Sequence, residues 1–175
     1  MHINFEFKAR KNNIVQLEKL LLQEQPRFIG EDLQTDTYYN VPYGRLKMRE
    51  GNIENALIHY HRNDVATAKQ SDVTLYRHNP DSSLKQILVT ALGIKVVVEK
   101  KRRIYFIDNV KFHFDEVAGL GKFVEVEAID TDGSIGIEKL KQQCNHYASL
   151  FCITHEEFVS RSYSDLLLAK KSSTS

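Results

Sequence analysis

Ile3-Asn4-Phe5-Glu6-Phe7-Lys8 places apolar side chains at odd positions and polar or charged ones at even positions. That is the period of a half-buried strand. The alternation returns further along the chain. Arg45, Lys47 and Arg49 alternate with Leu46 and Met48, and Lys100 and Arg102 share one parity. Lys111, His113 and Asp115 alternate with Phe112 and Phe114, and Glu125 and Glu127 with Val124 and Val126. Successive strand side chains point to opposite faces, so each i, i+2 set occupies one face. A solvated face usually mixes Thr, Ser, Gln, Lys and Glu. Here the basic triplet and the acidic pair are segregated onto different strands.

The segments between these strands supply the remaining elements. Asn12 or Asn13 caps a helix with Ile14, Leu17, Leu20 and Leu21 on its apolar face, closed by Pro26. Thr35 to Glu50 reads as two strands around the turn residues Asn40, Pro42 and Gly44, and Ala56 to Arg62 continues the meander. A loop through Asn79-Pro80-Asp81 leads to Ser82 or Ser83, capping a helix that ends at Gly93. Strand-like pieces follow at Lys95 to Arg102, Arg103 to Ile107, Val110 to Val117 and Phe123 to Ile129. Helices are expected from Ile135 to Tyr147 and from Ser162 to Lys170. Residues 1–170 therefore predict one α+β domain with an extensive antiparallel sheet, and 171–175 a disordered tail.

Composition removes other classes. The 175 residues are 42% hydrophobic, enough for a core, and 24 Lys and Arg face 23 Asp and Glu, a formal net charge of +1. That balance argues against a bulk nucleic-acid binder. No apolar run approaches the ~20 residues that span a bilayer. Met1-His2-Ile3-Asn4-Phe5-Glu6 puts an acid where a signal peptide has its apolar stretch. Cys144 and Cys152 fit neither a disulfide framework nor a zinc site. A cytoplasmic protein with reduced thiols, and neither a nucleic-acid nor a membrane partner, is the expectation.

Two arrangements accommodate the charged faces. They meet water on one side of an open sheet, or the sheet curls into a barrel with helices over its apolar outside and the charges lining a tunnel. In a tunnel, like charges about 4 Å apart repel by roughly 4 kcal/mol at an effective dielectric of 20. A confined basic cluster then needs a polyanion, and clustered carboxylates need a divalent cation. A metal-bound triphosphate satisfies both.

The order of motifs resembles the CYTH family, the triphosphate tunnel metalloenzymes that include class IV adenylyl cyclases, thiamine triphosphatases and inorganic tripolyphosphatases. Asn4-Phe-Glu6-Phe-Lys8 stands where that family has Glu-x-Glu-x-Lys. Asp36-Thr-Tyr-Tyr-Asn-Val-Pro-Tyr-Gly-Arg45-Leu-Lys47-Met-Arg49-Glu50 resembles the class IV cyclase branch, as do Tyr60-His-Arg62 and Lys69-Gln-Ser71-Asp72. So do Val98-Glu-Lys100-Lys-Arg102-Arg-Ile-Tyr105, the stretch from Phe114-Asp115 to Glu125-Val-Glu127, and the late Ser162-Tyr163-Ser-Asp-Leu-Leu.

The resemblance implies an eight-stranded antiparallel closed barrel with helices outside. It implies Mg²⁺ or Mn²⁺ held by Glu6, Glu125 and Glu127, with Asp115 in or beside that shell. Lys8, Arg45, Lys47, Arg49, Arg62, Lys69, Lys100 and Arg102 would grip the triphosphate, with Lys8 and Arg102 the catalytic pair. The cyclase branch also implies a homodimer. Three activities remain open on this reading: cyclisation of ATP to cyclic AMP and pyrophosphate, hydrolysis of a triphosphate, and noncatalytic polyphosphate or nucleotide binding. Asn4 keeps the third open, because it offers a neutral carbonyl where the family has a carboxylate.

Lesser signals lead nowhere. His155-Glu156-Glu157 lacks the second His of a zinc protease helix, and Gly119-Leu-Gly121-Lys122 lacks the spacing of a phosphate loop and reads as a turn. His59 and His61 share a strand face and are expected to pack outward. Tyr38, Tyr39 and Tyr43 are expected to pack in the core or at a rim, with stacking on a base as the alternative.

Overall fold

The alternation at Ile3–Lys8 is a strand, β1 (Ile3–Arg10), followed by α1 (Ile14–Gln23) and the strands β2 (Arg27–Tyr39), β3 (Arg45–Glu50), β4 (Ala56–His61) and β5 (Lys69–Arg77). Then come α2 (Ser82–Leu92), β6 (Ile94–Ile107), β7 (Val110–Val117), β8 (Gly121–Asp130), α3 (Ile137–Leu150) and α4 (Tyr163–Ser172). This computed structural model describes residues 3–61 and 69–173, with all their side chains except those of 69–72.

All eight strands pair antiparallel in the order β1-β5-β4-β3-β2-β6-β7-β8, and β1 pairs with both β5 and β8. The sheet thus curls until its edges meet. The seam is short: β1 and β5 pair only from Ile3–Asp72 to Glu6–Lys69, whereas β1 and β8 pair along the whole of β1.

The barrel is polar within and apolar on its helix-covered outside. Phe5, Phe7, Phe112, Phe114, Val124 and Val126 form the buried outer face, against Ile14, Leu17 and Leu21 of α1 and Leu140, Cys144 and Tyr147 of α3. Phe112 meets Tyr147 edge to face at 4.6 Å. Tyr163 at the start of α4 joins Tyr38, Tyr60, Val96, Val98 and Phe123 in a second buried cluster. No helix among the described residues is long and apolar enough to cross a membrane.

Several boundaries differ from the sequence reading, each for a physical reason. Strand β6 is continuous where two pieces were expected, because Lys101 and Arg103 face outward to Glu31 at 3.0 Å and Glu18 at 2.8 Å. Lys100 and Arg102 keep the inward parity, so a run of four basic residues hides a regular alternation. Strand β2 begins at Arg27, crossing a register shift at Phe28/Gly30 that breaks its pattern. Strand β5, which the sequence reading left unassigned, is largely polar and owes its place to ladders on both edges. Asp81 caps α2 by accepting a hydrogen bond from Ser83 N at 2.7 Å, and α4 runs on to Ser172, into the expected tail. His59 and His61 point outward and are exposed, as expected.

Phe112 is fully buried between the sheet and α3. Phe112→Ala should therefore cost about 3–5 kcal/mol in denaturant unfolding. A loss below 1 kcal/mol would contradict this packing.

Candidate active site

Strand register converts the i, i+2 sets into rows along the wall of a cavity of about 1210 Å³. One row is Lys8–Glu125–His113, and the next is Glu6–Glu127–Lys111, each across β1, β8 and β7. The facing wall carries Lys47, Arg49 and Lys100, which also line the cavity.

Those three cations share Asp36. Arg49 donates to it through Nε at 2.8 Å and Nη2 at 3.0 Å, Lys47 at 3.0 Å and Lys100 at 2.7 Å. Burial opposes ionisation of Asp36, but the pull of Arg49, Lys100 and Lys47 overrides it and holds the carboxyl well below its ordinary range. Arg49 also reaches Glu54 at 2.9 Å, so the three cations meet two carboxylates, and Lys47 and Lys100 both rest on Asp36. Burial, with Arg49, Arg102 and Lys47 nearby, pushes the Lys100 amine down to about 7 despite Asp36.

Arg102 is clamped differently. Its guanidinium meets Asp115 at 2.7 and 2.5 Å and Glu125 at 2.6 Å. Asp115 also accepts from the Tyr163 hydroxyl at 2.8 Å. Lys8 reaches Glu125 at 2.9 Å and lies 4.2 Å above the Tyr163 ring. Lys8 and Arg102 thus converge on one carboxylate.

The sequence-predicted residues divide on this geometry. Glu6, Lys8, Lys47, Arg49, Lys100, Arg102, Glu125 and Glu127 line one cavity, together with Asn4. Asp115, expected in or beside the metal shell, does not line it: fully buried, it braces Arg102 from behind and accepts from Tyr163. Arg45 is also off the cavity wall and pairs with Asp165 of α4 at 2.8 Å. Arg62 lies outside the described residues. Lys69 pairs in register with Glu6, and its side chain is outside the described ones.

Two residues gain roles that the sequence reading did not assign. Asp36 stands directly across from Arg49 in the β2–β3 ladder, so its parity within β2 carried the signal. Glu54, in the β3–β4 turn, accepts from Arg49 at 2.9 Å and Gln34 at 3.1 Å and pairs with Lys111. A turn has no alternation to betray an inward carboxylate.

The donor set fits a divalent cation. Burial, and to a lesser extent the nearby Glu6, pushes the Glu127 carboxyl up to about 7. One ligand atom each from His113, Glu125 and Glu127 lies within 4.8 Å of the others. Burial, with Arg102 and Lys111 nearby, pushes the His113 imidazole down to about 3, so it is neutral at physiological pH.

The CYTH domain profile matches residues 2–161. The chain belongs to the CYTH domain family. Solved structures of similar fold include PH1012 from Pyrococcus horikoshii, with TM-score 0.78, 21% identity, and 93% of this chain and 98% of that one covered. A candidate adenylate cyclase from Vibrio parahaemolyticus gives 0.74 at 20% identity, covering 94% and 97%. The candidate adenylyl cyclase HpAC1 from Hippeastrum, whose dominant activity is triphosphatase, gives 0.62 at 14%, covering 98% and 96%. No curated protein sequence matches the chain.

Glu127 titrates at about 7 in this CYTH fold against an ordinary 4.5. Its contribution to stability is therefore fully present below pH 4.5 and is lost as pH rises through 7. In metal-free buffer, Glu127→Gln should gain on wild type by about 2–3 kcal/mol between pH 5 and pH 8. Denaturant midpoints at both pH values check this, and parallel pH curves would contradict it.

Proposed function

We propose that this CYTH tunnel binds a metal-complexed nucleoside triphosphate and converts it in the manner of a class IV adenylyl cyclase. In that reaction the ribose 3′ oxygen bonds to the α-phosphorus, the bond to the pyrophosphate oxygen breaks, and the 3′ proton is lost as cyclic AMP and pyrophosphate form. The carrying observation is that Lys47, Arg49, Lys100, Arg102 and Lys8 converge on one cavity whose wall also holds Glu6 and Glu127.

The roles follow from side-chain chemistry. Arg49 and Arg102 each give one planar donor pair to Asp36 or Asp115, which orients the guanidinium so that its remaining Nη donors can meet phosphate oxygens. Lys8, Lys47 and Lys100 add compact charge, and fixed cations stabilise charge that grows on the leaving pyrophosphate. Glu6 and Glu127, with Glu125 beside them, would hold Mg²⁺ or Mn²⁺. The ion would supply charge neutralisation of the phosphates and help to hold them in line. The cavity is also larger than a bare triphosphate needs, and Ile53, Phe106, Ile129 and Leu84 give it an apolar stretch suited to a nucleoside.

Hydrolysis is the second reading, in which water attacks the terminal phosphorus and orthophosphate leaves. It is favoured by the dominant triphosphatase activity of the similarly folded Hippeastrum protein. Incubation with ATP or 3′-deoxy-ATP plus Mg²⁺ or Mn²⁺, with products identified, separates the two. Cyclic AMP and pyrophosphate from ATP, with 3′-deoxy-ATP inert, is expected. Equal release of orthophosphate from both nucleotides would establish hydrolysis instead, and no turnover of either would leave a binding module.

A further inference from the structure

Two buried polar atoms on the cavity wall have no hydrogen-bond partner among the described residues: Asn4 Oδ1 and His113 Nε2. His113 is 1% exposed and Asn4 8%. Because nothing among the described residues pairs with Nε2, no hydrogen bond at that atom decides which ring nitrogen carries the imidazole proton.

The other ring nitrogen of His113 faces the carboxylates. Nδ1 lies 3.3 Å from Glu125 Oε2 and 4.0 Å from Glu127 Oε1. The first distance is long for an N–H···O hydrogen bond. Both distances match donors around a single ion, because ligands about 2.1 Å from a divalent cation sit about 3 Å apart when adjacent and about 4 Å when opposite. Glu125 is already engaged by Lys8 and Arg102, so the Nδ1 contact is its weakest.

We propose that His113 Nδ1 is a nitrogen ligand to the divalent ion held at Glu127, and that this mixed nitrogen and oxygen set makes the site select Mn²⁺ over Mg²⁺. The inference rests on the metal-binding reading above and adds to it a ligand that the carboxylate motifs do not contain. Imidazole suits first-row transition ions, whereas Mg²⁺ demands oxygen donors and retains water. The proton arrangement permits it. Ligation through Nδ1 needs the ring proton on Nε2, and Nε2 has no partner in either tautomer, so the exchange forfeits only the long contact to Glu125.

Pulsed EPR of Mn²⁺ bound to the full-length protein tests this without reference to turnover. A nitrogen coupling typical of ligated imidazole is expected, changing to the ¹⁵N pattern when the protein is labelled with ¹⁵N-histidine and vanishing in His113→Gln. The ratio of Mg²⁺ to Mn²⁺ dissociation constants should fall roughly tenfold in the same variant. Should that variant fail to fold, as judged by circular dichroism, the labelled wild type decides alone. Bound Mn²⁺ with no nitrogen coupling would overturn the histidine ligand and leave a carboxylate site standing. An absence of Mn²⁺ binding at millimolar metal would overturn both the ligand and the metal-binding reading beneath it.

Discussion

Asp36, a single carboxylate held by Lys47, Arg49 and Lys100 at the centre of a barrel, shows what the fold must solve: charge confined away from bulk water has to be paired. Arg102 is paired with Asp115 and Glu125, Lys8 with Glu125, and Lys111 with Glu54. Removing one member of such a buried pair typically costs about 3–5 kcal/mol, because the other is left charged and dry. The same network fixes strand register. A one-residue slip of β1, β7 or β8 would turn its charges into the layer packed by α1 and α3 and its phenylalanines and valines into the lumen. Apolar packing outside and ion pairing inside therefore enforce one alignment.

Much of this was legible because two periods coincide in the sequence. Ile3–Lys8 and Val124–Glu127 alternate strictly, and strict alternation with charge on one face separates inside from outside. Most of the charged residues that line the cavity stand on regular strands. Legibility failed where a side chain's direction is set by something other than its own strand. Arg45 has the parity of Lys47 and Arg49 yet pairs with Asp165, 120 positions away on α4. Asp115 has the parity of His113 but sits behind Arg102 and under Tyr163. Glu54 enters from a turn, and β5 is held by ladders rather than by its own pattern. Those are tertiary effects, and no local window contains them.

The electrostatic arrangement also prepares the tunnel for its proposed ligand. Carboxylates already hold the guanidinium and ammonium groups in place, so phosphate oxygens can replace carboxylate oxygens with little reorganisation. Glu54 and Asp36 are the competing anions on the cationic wall. The metal side gathers Glu6, Glu125 and Glu127 on one wall, where Glu6 adds to the burial that raises the Glu127 carboxyl. A bare polyanion would relieve only the cationic wall, whereas a metal-bound one relieves both.

The most direct test of this complementarity is the melting temperature in low-salt buffer with Mn²⁺, comparing millimolar tripolyphosphate with orthophosphate at equal ionic strength. A ligand that binds only the native state stabilises it by mass action. Tripolyphosphate should raise the midpoint by about 4–8 °C, corresponding to roughly 2 kcal/mol for a chain of this size, and orthophosphate by far less. Equal shifts with the two anions, or no shift with either, would contradict a tunnel built to exchange its own carboxylates for a triphosphate.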